Sequence, residues 1–187
     1  GLKPQTGSTR LTVQGDLKDA IVTVNGEYFY TNSPIIPEVS VTWNGTQLTK
    51  DTDYTVNYTD NTNVGKATVT VTGTGNYIST KTGSFTIAPA QLNDATVKVN
   101  GTYTYTGQAQ TPASNDVVVT LGGKTVPSDQ YTISASDNMN AGQATATVTA
   151  KAGGNYTGSA SGKFTIALAS LNDAKVEVSG GPFTYDG

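Results

Sequence analysis

The sequence predicts an all-β protein built of tandem two-sheet β-sandwich modules, with about seven short strands in each. Three observations lead there. A long segment recurs along the chain, its apolar residues alternate with polar ones, and Asn-Gly or Gly-Gly pairs punctuate the alternating runs. Alternation marks strands buried on one face, and those pairs supply the positive φ of tight hairpins.

A long internal repeat divides the chain. Leu17-Lys18-Asp19-Ala20 returns as Leu92-Asn93-Asp94-Ala95 and again as Leu171-Asn172-Asp173-Ala174. The intervals are 75 and 79 residues (92 − 17 and 171 − 92). Each start leads to a similar continuation: Val24-Asn25-Gly26, Val99-Asn100-Gly101 and Val178-Ser179-Gly180. An aromatic pair follows at Tyr28/Tyr30, Tyr103/Tyr105 and Phe183/Tyr185. Further down, Asp60 through Gly65 matches Asp137 through Gly142, and Gly75-Asn76-Tyr77 matches Gly154-Asn155-Tyr156. Phe85-Thr86-Ile87-Ala88 matches Phe164-Thr165-Ile166-Ala167. The expected organisation is therefore the end of a preceding repeat or linker over 1–16, one repeat over 17–91, a second over 92–170, and the start of a further one over 171–187. Leu11-Thr12-Val13 sits where the closing strand of a preceding copy would lie, so the parent protein is expected to continue in both directions.

The strands of the first copy read in order as Ala20/Val22/Val24, Val39/Val41/Trp43, Tyr54/Val56/Tyr58, Ala67/Val69/Val71 and Phe85/Ile87, each set on one face. Thr68, Thr70 and Thr72 take the opposite, wet face, where β-branched hydroxyl residues suit a pleated surface. Short segments at Tyr28–Tyr30 and Gln47–Leu48 bring the count to about seven. The second copy repeats the plan with Ala95/Val97/Val99, Val117/Val119/Leu121, Tyr131/Ile133/Ala135, Ala144/Ala146/Val148 and Phe164/Ile166. A β-grasp fold would need an amphipathic helix, and no segment sustains a 3.6-residue apolar period. The joints are short, Ala88-Pro89-Ala90-Gln91 and Ala167-Leu168-Ala169-Ser170, which predicts a semi-rigid array rather than flexibly tethered beads.

Composition excludes several function classes. Charged residues make up 13% of the chain, about half the usual share, and the net charge is −3. No Lys/Arg cluster exists to displace counterions from nucleic acid, so no nucleic-acid partner is expected. No apolar run approaches the ~20 residues of a spanning helix, so membrane insertion is not expected in this segment. Cys and His are both absent, which removes disulfides, a Cys/His metal site, a His base and a Cys nucleophile. No Gly-x-Ser-x-Gly elbow is present, and the Asp51/Asp53 pair is not kept in the second copy. The chain is not expected to be an enzyme, to carry a cofactor, or to be other than a monomer.

Some side chains still call for a reading. Asp60–Gly65 and Asp137–Gly142 carry oxygen ligands that could hold Ca²⁺, but each offers one carboxylate, and Asx turns account for them better. Tyr28, Phe29, Tyr30, Tyr103 and Tyr105 could form a sugar-stacking platform, though packing is the commoner fate of such rings. Trp43 reads as core, and Tyr77 and Tyr156 read as capping residues akin to a tyrosine corner. An isopeptide crosslink is not expected: Lys98 matches Thr23, and the closing strands contain no Asn. No set of residues is singled out as a ligand-binding site.

These repeats resemble the immunoglobulin-like modules found in tandem on Gram-positive surface proteins, including mucus-binding adhesins of lactobacilli. The residues that carry the resemblance are Tyr103-Thr104-Tyr105-Thr106-Gly107 with Pro112, Asp60 through Gly65, Gly75-Asn76-Tyr77 and the closing Phe-Thr-Ile-Ala. It extends over the chain from Leu17 onward. The first copy departs from it at Asn32-Ser33-Pro34, where the second has Gly107-Gln108-Ala109. The resemblance implies an extracellular, cell-wall-anchored adhesin that attaches to mucin or host-cell glycans. The alternative is a passive stalk that projects another domain, and a third, weaker reading is a carbohydrate-binding accessory region of an extracellular enzyme.

Overall fold

The computed structural model describes residues 13–172, 174–177, 179–181 and 185. Leu11, Thr12, Asp173, Val178 and Phe183, which enter the expected neighbouring repeats, lie outside the described residues. The chain is all-β, and among the described residues its only helical pieces are single 3-10 turns of three residues. The amphipathic helix of a β-grasp is accordingly not among them. The chain divides into two compact units. The first runs through Ala90 and takes in Ala152–Thr157; the second comprises Gln91–Lys151 and the chain from Gly158.

The first unit opens with β1 (Gly15–Asp16), followed by the 3-10 turn Leu17–Asp19. Here the recurrent Leu-x-Asp-Ala start finds its physical reason. Leu17 is completely buried, Ala20 N–H closes the turn on the Leu17 carbonyl at 3.0 Å, and the Asp16 carboxylate caps it by accepting from Lys18 N–H. That hydrogen bond lowers the Asp16 pKa, with help from Ser79. β2 (Ile21–Val24), β4 (Val39–Trp43) and β5 (Thr46–Gln47) form a three-stranded antiparallel sheet in the order β2-β4-β5. β3 (Tyr28–Phe29), β9 (Thr80–Ala88), β7 (Gly65–Gly73) and β6 (Tyr54–Thr59) form a four-stranded sheet in the order β3-β9-β7-β6. β3 runs parallel to β9, pairing Tyr28 with Ile87, while the other pairs are antiparallel. β8 (Tyr77–Ile78) pairs in parallel with β1.

The core draws on both sheets. Val39 and Val41 come from one, and Tyr54, Ala67, Val69, Val71, Phe85 and Ile87 from the other, with Leu17 and Leu48 filling in. Ala67, Val69 and Val71 are wholly buried, and Thr68, Thr70 and Thr72 alternate with them outward, as the period of two requires. Each fully buried Val or Leu contributes about 1.5–3 kcal/mol.

The second unit follows the same plan. Around the boundary lie β10 (Ala90–Gln91) and the 3-10 turn Leu92–Asp94, whose Leu92 is again completely buried. β11 (Thr96–Val99), β13 (Val117–Leu121) and β14 (Lys124–Thr125) form a sheet in the order β11-β13-β14, where β12 (Tyr103–Thr104) falls between the first two in sequence. β12 joins β18 (Ser159–Ala167), β16 (Gly142–Ala150) and β15 (Tyr131–Ser136) in the order β12-β18-β16-β15, again with a parallel edge. β17 (Tyr156–Thr157) lies in the segment that belongs to the first unit. Ala144, Ala146, Phe164 and Ile166 form a buried cluster, with Val99, Tyr103 and Ala135 packed against it.

One glycine pair records how closely the layers approach. Gly83 in β9 and Gly162 in β18 occupy equivalent positions, opposite Val69 and Ala146. A Cβ on Gly83 would lie 2.8 Å from Val22 Cγ1, and one on Gly162 would lie 2.2 Å from the Val97 carbonyl oxygen. The strand that closes each unit can cross under β2 or β11 only without a side chain at this point.

Candidate functional site

Tyr28 and Tyr103 take the packed fate rather than that of a sugar-stacking platform. Tyr28 turns inward, its ring edge-on to Phe85 at 5.1 Å with its hydroxyl donating to the Asn25 carbonyl, and Tyr103 repeats this on Phe164 at 5.0 Å. The Tyr103 hydroxyl donates to Asp116 at 3.0 Å, and burial together with that carboxylate raises its pKa. Phe29, one residue on, points the other way and is 47% exposed. It walls a concavity of about 440 Å³ whose lining includes Val24, Glu27, Tyr28, Phe85 and Thr86. The second copy has Thr104 at the position of Phe29, so this aromatic wall is not a repeated feature. Tyr105 is 42% exposed, whereas its counterpart Tyr30 is half-buried.

The Asp-Asn-x-Asn-x-Gly loops brace the backbone. Asn61 Nδ2 donates to the Ile35 carbonyl at 2.8 Å, and Ile35 N–H donates back to the Asn61 carbonyl at 2.8 Å. Asn138 and Gln110 make the same exchange at 2.9 and 2.8 Å. Asp60 (φ 57°) and Asp137 (φ 53°) turn the chain in the left-handed region that Asp tolerates. The turn reading accounts for both loops.

Tyrosine hydroxyls supply ties that sequence reasoning assigned elsewhere. Tyr54 is buried at the start of β6, and its hydroxyl donates to the Val39 carbonyl at 3.0 Å in the opposite sheet. Tyr131 makes the equivalent but longer contact to Val117 at 3.4 Å, and Tyr58 reaches the Pro37 carbonyl at 2.6 Å. Burial raises the pKa of all three phenols, with Glu38 adding to the effect at Tyr54 and Tyr58. Tyr77 instead lays its ring against Gly15 and edge-on to Trp43 at 5.7 Å. Trp43, expected in the core, sits half-buried at its margin and donates Nε1–H to the Asp16 carbonyl at 2.9 Å.

What does recur at matched positions is the outward face of the four-stranded sheets. In the first unit three strands align Thr59, Thr68 and Ser84 in one row, Asn57, Thr70 and Thr82 in the next, and Thr55, Thr72 and Thr80 in a third. The second unit aligns Ser136, Thr145 and Lys163, then Ser134, Thr147 and Ser161, then Thr132, Thr149 and Ser159. Neighbouring strands lie about 4.8 Å apart and alternate residues about 6.8 Å. The result is a lattice of hydroxyls and amides able to donate to and accept from a polyol, with Lys163 Nζ held on Thr145 Oγ1 at 2.6 Å as its cationic member. Among the described residues no three acidic, His or Cys side chains converge to hold a metal ion, and no helix is long and apolar enough to cross a membrane. Compared with models of known protein families and with curated proteins, the chain matches none.

Proposed function

We propose that this chain is a repeat region of a bacterial cell-surface adhesin that attaches multivalently to mucus or host-cell glycans. Each module is read as an immunoglobulin-like sandwich of about seven strands, formed by the three- and four-stranded sheets. The observation that carries the reading is the hydroxyl lattice, the surface chemistry that both units present at equivalent positions. Hydroxyl and amide groups can exchange hydrogen bonds with sugar hydroxyls, and the resemblance supplies the ligand class. Weak binding per module gains avidity when copies are linked. The setting is extracellular and cell-wall anchored through regions outside this segment, and the modules act as monomeric units along one chain. No catalysis is assigned.

A second reading, the passive spacer, is favoured by one specific observation: the exposed aromatics do not match between copies, since Phe29 is replaced by Thr104 and Tyr105 is covered at Tyr30. Binding of the purified chain to immobilised mucin, compared with arrays of more copies, decides between them. Adhesion requires binding that rises steeply with copy number and weakens when Thr70 and Thr147 are replaced by Glu. Absence of binding at every copy number leaves the spacer.

A further inference from the structure

The first unit is not continuous in sequence. Its compact set of residues includes Ala152–Thr157, which the repeat pattern places in the second copy. The Asn155 carboxamide is the centre of this join. Its Oδ1 accepts from Val64 N–H at 3.0 Å, and its Nδ2 donates to Asn63 Oδ1 at 3.1 Å. The next residue, Tyr156, meets Tyr30 edge-to-face, with ring centroids 5.2 Å apart and planes at 81°. Ala90 N–H, just before the repeat boundary, donates to the Asn155 carbonyl at 3.0 Å.

The same motif one repeat earlier is less buried. Asn76 is exposed where Asn155 is half-buried, and Tyr77 is half-buried where Tyr156 is only 7% exposed. Asn76 does keep the backbone bond, accepting from Gly15 N–H at 2.9 Å, so that bond belongs to the motif itself. The side-chain contacts are additional. On the receiving side, Tyr30 is half-buried and its counterpart Tyr105 is 42% exposed.

We propose that Gly154-Asn155-Tyr156 is a clasp that completes the first unit, docking on a receiving surface formed by Tyr30, Asn63 and Val64. The partner this surface fits is the Gly-Asn-Tyr loop of a following copy of the repeat. Tyr105, Asn140 and Ala141 provide the corresponding surface in the second copy. The chemistry is specific: a carboxamide that both accepts from a backbone N–H and donates to a second carboxamide, beside a ring edge for a tyrosine.

Amide hydrogen exchange of the full chain, resolved by NMR, tests the clasp at the Val64 N–H. Asn155→Ala removes its acceptor without touching a buried apolar side chain and is expected to speed Val64 exchange about tenfold. Asn155→Asp keeps an acceptor oxygen there and is expected to preserve the protection. Ala141, in the equivalent loop of the second copy, is the internal control and keeps its rate in both variants. The proposal is overturned if Val64 exchanges equally fast with Asn or Ala at 155. It is equally overturned if Asn155→Ala speeds Val64 and Ala141 together, which would mean a general loosening.

Discussion

Removing one oxygen atom, in Tyr54→Phe, probes how the two sheets of the first unit are tied together. The ring is 2% exposed and keeps its place in the variant, so no cavity opens beyond the hydroxyl itself. What is lost is the hydrogen bond to the Val39 carbonyl at 3.0 Å. A net bond contributes about 0.5–1.5 kcal/mol, and leaving a buried acceptor short of a partner adds to the loss, so the expected cost is about 1–2 kcal/mol. For a unit of this size that is a fall of roughly 5–15 °C in Tm. Tyr131→Phe removes the equivalent contact, but at 3.4 Å that bond is weak, and the expected cost is about 0.5 kcal/mol. Trp43 is the chain's only tryptophan and lies in the first unit, so its fluorescence follows that unit selectively, while calorimetry follows both. Equal losses in the two variants, or no loss in Tyr54→Phe, would refute the assignment of the Tyr54 bond as a tie between sheets.

Two further outcomes follow from other parts of the structure. Gly162→Ala places a Cβ against a backbone carbonyl and is expected to cost about 2–3 kcal/mol, whereas Gly83→Ala meets a valine methyl that can give way and costs less; urea titration of the two variants ranks them. The buried phenols of Tyr54, Tyr58 and Tyr131 have folded pKa values raised above about 10, so their contribution to stability is complete below pH ~10 and is lost as pH rises through the folded values. Tyrosinate absorbance during an alkaline titration should therefore show these rings ionising late and together with unfolding, and early ionisation in a still-folded chain contradicts it.

Much of this architecture was legible in residue spacing because strand burial is a local, period-two property. Ala67/Val69/Val71 against Thr68/Thr70/Thr72 states both the core face and the wet face without any knowledge of partners. The wider lattice was less legible, since Thr70 meets Asn57 and Thr82 only through strand register. Nor does any local signal report that β3 lies parallel to β9, or which tyrosine reaches across the core. Tyr77 carries the more suggestive neighbours, Gly75 and Asn76, yet the hydroxyl tie belongs to Tyr54, whose acceptor lies 15 residues away. The Asn61 and Asn138 clips, which span 26 and 28 residues, escape periodicity for the same reason. Gly83 could have been flagged by its recurrence as Gly162 in otherwise bulky strands, since a strand glycine marks a close approach.

The leucine that opens each unit has a consequence for how such chains change length. Leu17 and Leu92 are completely buried, and each is the first residue of its own 3-10 turn. A gene rearrangement that breaks within Ala88–Gln91 therefore transfers a module with its own leucine plug. A break a few residues later would strand the leucine on the wrong side. If the Asn155 clasp is general, the incoming module also brings the loop its predecessor needs. Copies could then be gained or lost in whole numbers, with selection acting on their count while every core stays intact.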